Sequence, residues 1–454
     1  MNLSAIILAA GQGTRMKSSI PKVMHKVAHK PLIWHILHNL DQTDIDDIVT
    51  VVGPDAEILQ SFLRVEFGSV KTIIQNERLG TAHAVITGLE KIRHKQNNIA
   101  VLYGDTPFVK TSTIKKMNSI IEKDVAVVVL GFIAKDPGRY GRLIQNELGD
   151  LEKIVEFLDA SEAEKEVNLC NSGMMLINGK YLDLLKKINN KNAKNEYYLT
   201  DIVEIAKKNG LRVKHFAVDE TEVLGVNSRS DQVYAESVMQ KALRKKFLDE
   251  GVTLVDPESV SFAVDTKIGN DCVIHPHVVF GPGVIIHSHV EIKSFSHIEG
   301  AEIKSESVIG PFARLRPGTN IEQKVKVGNF VEIKNSDLAK NTSVSHLTYI
   351  GDSQIGEGTN VGAGTITCNY DGFNKSQTII GKNAFIGSNT ALVAPVKIGD
   401  DVIIAAGSVV TKDVSDGALV VARGEEKIYS GKAESIRSKA KEKAEKLKNS
   451  GKKL

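Results

Sequence analysis

From Ile268 to Val410 a bulky apolar residue, usually branched, returns every six positions. The first run is Ile268, Ile274, Phe280, Ile286, Ile292 and Ile298, and the second is Ile309, Leu315, Ile321, Val327 and Ile333. A third passes through Ile355, Val361 and Thr367, and the last through Ile380, Ile386, Leu392, Ile398, Ile404 and Val410. Glycine often follows the anchor, as at Gly328 and Gly362, and a small or branched residue stands four places on, as at Thr319, Thr359 and Ser408. A period of six matches neither an amphipathic helix nor a half-buried strand. It fits a parallel β-helix of triangular coils, each flat face pointing one anchor inward. With coils of about 18 residues stacked about 4.8 Å apart, the segment makes about eight coils and a prism about 40 Å tall.

The period slips three times: between Ile298 and Ile309, between Ile333 and Ile355, and between Thr367 and Ile380. Each slip predicts an inserted or deleted residue that bulges from the wall, and loops on a rigid scaffold are where binding groups gather. The two later slips bracket the polar and aromatic stretches HLTYIGD and TCNYDGFNK.

The first half has a different pattern. Continuous apolar runs at Ala5–Ala9, Ile48–Val52, Thr72–Gln75, Ile99–Tyr103 and Val125–Leu130 alternate with helical stretches. Such runs predict parallel strands covered on both faces, hence a doubly wound, Rossmann-like α/β domain. Ligands of such sheets bind beyond the carboxyl ends of the strands. Two motifs fall there. In LAAGQGTRM, Leu8 to Met16, a strand enters a glycine turn, and Pro21 and Lys22 follow. No Gly-Lys-Ser/Thr follows, so it is not a P-loop, and Met16 stands where a dinucleotide fingerprint needs its third glycine. A turn that lets a nucleotide approach the backbone remains, with Arg15 and Lys22 available for phosphate charge. In VLYGD, Asp105 directly follows a buried strand, a position suited to holding Mg²⁺ beside phosphates. Between the halves, Asp231 to Glu250 reads as one charged helix and a rigid connector. The organisation expected is 1–228, the α/β domain; 229–250, the helix; 251–424, the β-helix; and 425–454, a basic tail.

Composition changes this picture little. The 454 residues include 25% charged and 42% hydrophobic, and the formal charge of +3, much of it in the lysine-rich tail, is too small to argue for nucleic acid. No apolar run reaches the roughly 18 residues of a membrane span. The start lacks the pattern of a signal peptide and reads as a buried strand. Cys170, Cys272 and Cys368 are far apart and odd in number, which suits free thiols in a reducing cytoplasm.

LAAGQGTRM, PKVMH, QNERLGTAHA, YGD and GVNSR resemble motifs of the sugar-nucleotide pyrophosphorylases. Joined to GPFARLRPG, VGNFVEIK, HLTYIGD, GAGTITCNYDG and IGSNTALVAPV, they make the whole chain resemble a bifunctional family. That family unites N-acetylglucosamine-1-phosphate uridyltransferase and glucosamine-1-phosphate acetyltransferase, and the resemblance spans about residues 3 to 424.

For the first half the resemblance implies transfer of UMP from UTP to N-acetylglucosamine 1-phosphate. Asp105 and Asn227 would hold Mg²⁺, and Arg15 and Lys22 would stabilise the triphosphate. Leu8, Ala9, Ala10, Gly11, Gln75, Gly80 and Thr81 would bind the nucleotide, beside Tyr103 and Gly104. Gly141, Glu156 and Asn171 would bind the sugar. One departure stands out: the family usually reads Asn-Thr-Gly where this chain has Asn171, Ser172 and Gly173.

For the second half it implies acetyl transfer from acetyl-CoA to the amine of glucosamine 1-phosphate. An amine must lose a proton to attack, which calls for a base with a pKa near neutrality, and His346 in the HLTY motif takes that role. Arg316, Lys334, Tyr349, Asn360 and Lys375 would bind the sugar phosphate. Asn369 and Tyr370 would flank the acetyl group, with backbone N–H groups near Ala363 as an oxyanion site. Ser388, Ala406 and Arg423 would line the CoA groove. The family forms homotrimers through the β-helix, without membrane or nucleic-acid partners. Two rivals keep the fold but lose chemistry: a nucleotidyltransferase with a passive β-helix, and a scaffold subunit. His346, Asn369, Tyr370 and Lys375 argue against the first, and intact Arg15, Lys22, Asp105 and Asn227 against the second.

Overall fold

The structure is a computed structural model that describes residues 2–41, 45–192 and 194–449. The last residues of the tail, 450–454, lie outside it. Two compact units result. One comprises Met1–Glu250, Ser261–Thr266 and Phe280–Pro282; the other comprises Gly251–Val260, Lys267–Val279 and Gly283–Leu454.

The first unit begins β1 (Leu3–Ala9), β2 (Lys26–Val27), β3 (Lys30–Pro31), α1 (Leu32–Asp41), β4 (Asp47–Val52), α2 (Glu57–Glu66), β5 (Lys71–Ile74) and α3 (Thr81–Leu89). It continues through β6 (Asn98–Tyr103), α4 (Thr111–Ile120), β7 (Val125–Ile133), β8 (Arg142–Gln145), β9 (Leu151–Val155) and α5 (Glu162–Lys165). It closes with β10 (Leu169–Ile177), α6 (Asp201–Lys208), β11 (Arg212–Asp219) and α7 (Arg229–Asp249). All five strands read from the sequence are present. The sheet order is β11-β7-β10-β6-β1-β4-β5. Its faces are covered separately, as doubly wound folds require. Leu3, Ala5 and Ile7 of β1 pack with Ile36 and Leu40 of α1 and Leu59 of α2, whereas Ile6 packs with Ala82 and Val85 of α3 and Ile202 of α6.

The five strands read from the sequence run parallel to one another, and the sheet adds a strand the sequence reading did not name. β10 runs antiparallel to both β6 and β7. The β8–β9 hairpin between β7 and β10 brings the chain back without a full crossover. A strand buried on both faces looks the same in sequence whichever way it runs. The connecting helix starts at Arg229, where Ser228 and Asp231 form a capping box.

The second unit is a left-handed parallel β-helix whose walls belong to three parallel sheets of ten, nine and eight strands. The sheets start at Thr253 and end at Val420, so the stack extends beyond the hexad segment at both ends. The anchors are buried, Ile274, Ile292 and Ile386 completely. The small residues at the corners are buried as well, and their hydroxyls satisfy carbonyls three residues back. Thr319 donates to Arg316 at 2.7 Å and Ser408 to Ala405 at 2.6 Å. Gly362 follows its anchor because the next coil approaches closely: a Cβ there would lie 2.6 Å from the Ile386 carbonyl oxygen.

The slips have two different causes, and only one is a bulge. Ile286 pairs with Ile303, Ile321 with Leu338 and Ile333 with Ile350, so these coils turn their corners one residue early and stay in the wall. The third slip is a long excursion, because Ile355 pairs with Ile380. Its extra residues form a loop closed where the Ser376 N–H donates to the Asn369 carbonyl at 2.9 Å. HLTYIGD therefore occupies an ordinary corner, while NYDGFNK projects. The tail contains α8 (Lys432–Asn449), whose described side chains are exposed.

Candidate functional site

In the first unit, the ends of β1, β5 and β6 and the start of α7 meet around a cavity of about 380 Å³. Leu8, Ala9, Ala10, Gly11, Lys22, Gln75, Gly80, Thr81, Tyr103, Asp105 and Asn227 line it, all named from the sequence. Lys22 stands just after Pro21, and its stem passes Gly13, where a Cβ would lie 2.7 Å from its own. Gly13 adopts φ 62°, so a side chain there is disfavoured twice. The Lys22 ammonium donates to the Asp105 carboxylate and, at 3.0 Å, to the Asn227 side-chain oxygen. Asn227 is held in turn by Asp231, which accepts the backbone N–H groups of Asn227 and Ser228 at 2.9 Å each. Burial, with the Asp105 carboxylate nearby, pushes the Tyr103 phenol up to about 12.

Gln75 lines the cavity and spends its amide hydrogens on the Gly80 carbonyl (3.3 Å) and on His83 Nδ1 (2.9 Å), so its side-chain oxygen is the group left for a ligand. Sequence reasoning missed Arg78, which also lines the cavity. Its Nε donates to the Ala10 carbonyl at 2.7 Å and its Nη2 to Asp55 at 2.6 Å, fixing the glycine turn. The signal was present, since Arg78 lies inside QNERLGTAHA. Two predicted residues sit apart from the lining. Arg15 is exposed on the short turn Thr14–Met16, and Gly104 packs behind the site against Val23.

A second cavity of about 760 Å³ shares Thr81 and Tyr103 with the first. It brings together the predicted Gly141, Glu156 and Asn171, and adds Arg139, Lys194 and Tyr198. The Asn171 side-chain oxygen accepts the Gly173 N–H at 2.9 Å. The Ser172 hydroxyl donates to the Leu130 carbonyl at 2.6 Å and accepts the Met174 N–H at 3.2 Å, within the β10 bulge. Its work is backbone closure, which needs the hydroxyl and not the methyl group of threonine.

On the β-helix, one corner gathers most of the remaining residues. His346, Ala363, Ser388 and Ala406 occupy that corner on successive coils, tied by bonds from Gly364 to His346 (3.0 Å), Asn389 to Ala363 (2.7 Å) and Gly407 to Ser388 (2.8 Å). Arg423 extends the line by donating to the Ala406 carbonyl at 3.0 Å. At about 4.8 Å per coil the line is about 19 Å long. His346 is exposed, and Nδ1 of its ring is hydrogen-bonded to the side-chain oxygen of Asn329, a partner the sequence did not disclose.

The adjoining face carries Arg316, Lys334 and Tyr349. Arg316 donates to Glu332 at 2.9 Å, and Glu332 pairs with Tyr349 across the strands. At the far edge, burial would raise Asp352. The Asn335 and Asn369 amides at 2.6 and 2.5 Å outweigh it, with Lys334 and Lys375, and hold the carboxyl below its usual range. Asn369 thereby anchors the projecting loop. Lys334 beside Lys375 lowers the pKa of Lys375, since each ammonium group disfavours charge on the other. Tyr370 bridges to Lys375 across the loop and is largely exposed, while Asn360 lies on the neighbouring wall beside Ser343.

Comparison with known proteins follows the same division. Residues 5–160 match the MobA-like NTP transferase domain, and 265–300 and 377–412 match the bacterial transferase hexapeptide family (six repeats). The chain is 50% identical to a "Bifunctional protein GlmU" of Paramagnetospirillum magneticum, over 96% of this chain and 97% of that one. Proteins of the same name from Zymomonas mobilis and Agrobacterium fabrum are 46% and 45% identical. The alignments cover 97% and 98% of this chain and 98% of each relative.

Proposed function

This chain belongs to the bifunctional GlmU family, and on that premise we propose how its two sites divide the chemistry. The enzyme makes UDP-N-acetylglucosamine, a precursor of cell-wall polymers, in two steps. The β-helix acetylates glucosamine 1-phosphate from acetyl-CoA, and the α/β unit transfers UMP from UTP to the product. One observation carries the reading of the first unit: Lys22, Asp105 and Asn227, far apart in sequence, converge beside the glycine turn.

In uridylyl transfer, a sugar-phosphate oxygen bonds to the α-phosphorus of UTP, the bond to the β-phosphate oxygen breaks, and pyrophosphate leaves. The nucleophile is already ionised near neutral pH, so the site needs alignment and charge neutralisation but no general base. Lys22 and Arg15 supply positive charge. Arg15 is exposed on its short turn. The Gln75 oxygen accepts the uracil imide N–H, and Thr81 and Gly80 flank the base. Gly141, Glu156 and Asn171 hold the sugar. The donors of Asp105 and Asn227 are oxygens that converge on one cation, which fits Mg²⁺, an ion that needs few protein ligands when phosphates supply the rest. Bound there, Mg²⁺ would neutralise charge on the triphosphate.

In acetyl transfer, the sugar amine bonds to the thioester carbon, His346 takes the amine proton through Nε2, and CoA leaves as the thiolate. The N–H groups of Gly362 and Gly364 are committed to the carbonyls of Ile386 and His346, so an oxyanion contact at this corner falls to Ala363. Lys334, Lys375 and Arg316 take the sugar phosphate, and Tyr349 and Asn360 its hydroxyls. Asn369 and Tyr370 flank the acetyl group. CoA runs down the corner past Ser388 and Ala406 to Arg423.

The assembly we propose is a homotrimer through the β-helix. Its support is a ladder of stacked, exposed rings, His277, Phe295, Phe312 and Phe330, with centroids 4.9 to 5.0 Å apart, continued by exposed Leu347 beside His346. A continuous apolar stripe of this kind marks a surface that another chain covers. Among the described residues no helix is long and apolar enough to cross a membrane, and the cysteines are free. We place the enzyme in the cytoplasm. An assay with glucosamine 1-phosphate, acetyl-CoA, UTP and Mg²⁺, omitting each in turn, tests the scheme. Product formed without acetyl-CoA from the unacetylated sugar would overturn the order of steps.

A further inference from the structure

Lys22 lies where a cation between Asp105 and Asn227 would lie. Its ammonium bonds both side-chain oxygens, and neither it nor Asp105 is more than 16% exposed in its side chain. The arrangement is held from three sides. Pro21 and the following short turn fix the Lys22 backbone, Gly13 leaves room for the stem, and Asp231 fixes Asn227. A partly buried carboxylate needs a positive partner in the absence of ligand, and here the chain provides one.

We propose that Lys22 is an internal stand-in for the divalent cation. In the nucleotide-free enzyme it occupies the metal-binding oxygens, so Asp105 and Asn227 accept a divalent cation only when a triphosphate draws Lys22 away. A dication arriving alone must displace Lys22 and leave an ammonium group beside it, a like-charge contact in a partly desolvated site. A triphosphate removes that conflict, because its oxygens can accept the released ammonium and complete the cation's shell. Metal uptake is thereby coupled to nucleotide uptake, and by reciprocity each strengthens the other. Free divalent cation does not fill the site ahead of substrate. The proposal rests on the reading of Asp105 and Asn227 as metal ligands.

The test is Mn²⁺ binding to the full-length protein without nucleotide, read from the electron paramagnetic resonance signal of free Mn²⁺. Lys22→Met keeps the stem and removes the charge; Lys22→Ala replaces it if a thermal melt shows the first variant unfolded. The expected result is Mn²⁺ binding tighter than wild type by about tenfold or more, the scale of one lost charge-assisted hydrogen bond. Adding Asp105→Ala to the Lys22 variant should remove that gain. Equal Mn²⁺ affinity in wild type and the Lys22 variant would overturn the stand-in role while leaving the metal ligands unaffected. If Asp105→Ala leaves Mn²⁺ uptake in the presence of UTP unchanged, the ligand reading itself falls, and the stand-in role with it.

Discussion

Asn329 and His346 stand at the same corner of consecutive coils, and the side-chain oxygen of Asn329 is hydrogen-bonded to Nδ1 of His346. An acceptor at Nδ1 keeps the proton there and leaves the Nε2 lone pair free to take one from a substrate. The base proposed at His346 would need this tautomer, and the neighbouring coil supplies the acceptor that favours it.

His346→Ala is expected to lower the kcat of acetyl transfer by about 10²- to 10⁴-fold, the usual range for a lost general base. KM and melting temperature should stay close to wild type, because an exposed imidazole contributes little packing. Asn329→Ala should lower kcat by about tenfold, again with little change in KM, since it acts by orienting the ring. A drop in melting temperature with turnover intact, in both variants, would assign the pair to structure.

The two chemistries should separate cleanly. Asp105→Ala would remove a proposed metal ligand, and Asp105 lies in the α/β unit while the proposed acetyl-transfer residues lie in the other. Uridylyl transfer should fall by at least about 10³-fold, while acetyl transfer stays within a few-fold of wild type. Chelation by EDTA should do the same. Parallel loss of both activities in folded protein would contradict the assignment of two independent sites.

Arg423 ends the line that begins at His346, and its guanidinium is exposed beside Ala406. Arg423→Ala should raise the KM for acetyl-CoA by about tenfold, the scale of one charge-assisted contact to phosphate, with kcat nearly unchanged. Initial rates at varied acetyl-CoA decide it. An unchanged KM would move the CoA phosphates elsewhere.

Asp47 sets an acid limit on the α/β unit. Burial pushes its carboxyl up, but Lys71 at 2.5 Å and two bonds from Arg93, each 2.9 Å, outweigh it and hold the pKa at about 2. The unfolded value is about 3.9, so the folded state binds its proton less readily. The stabilisation, about 2 kcal/mol, is present above pH about 4 and is lost as the pH falls toward about 2. Asp47→Asn should therefore lower the unfolding temperature at pH 7, and the gap from wild type should narrow near pH 2. Calorimetry at both values checks this; a gap that persists in acid would mean that packing, not charge, carries the effect.

The β-helix and the strands β1, β4, β5, β6 and β7 were legible in the sequence because both depend on local burial. An inward anchor such as Ile292 must be apolar, and a corner residue such as Thr319 must be small, whatever the rest of the chain does. Motifs were legible for a related reason: a glycine turn or a carboxylate after a buried strand is a local arrangement. What the sequence could not determine is how distant segments meet. The direction of β10 was invisible because a strand buried on both faces carries no mark of polarity. Asn329 and Arg78 were missed because each acts on a residue it reaches only after folding. The shared corner of His346, Ala363, Ser388, Ala406 and Arg423 follows from coil lengths that vary, which no single period reveals. Lys22, Asp105 and Asn227 could each be named from their own motifs, but their bonding to one another required the tertiary structure. Residues 83 and 205 positions apart share a charge only once the sheet and α7 have brought them together.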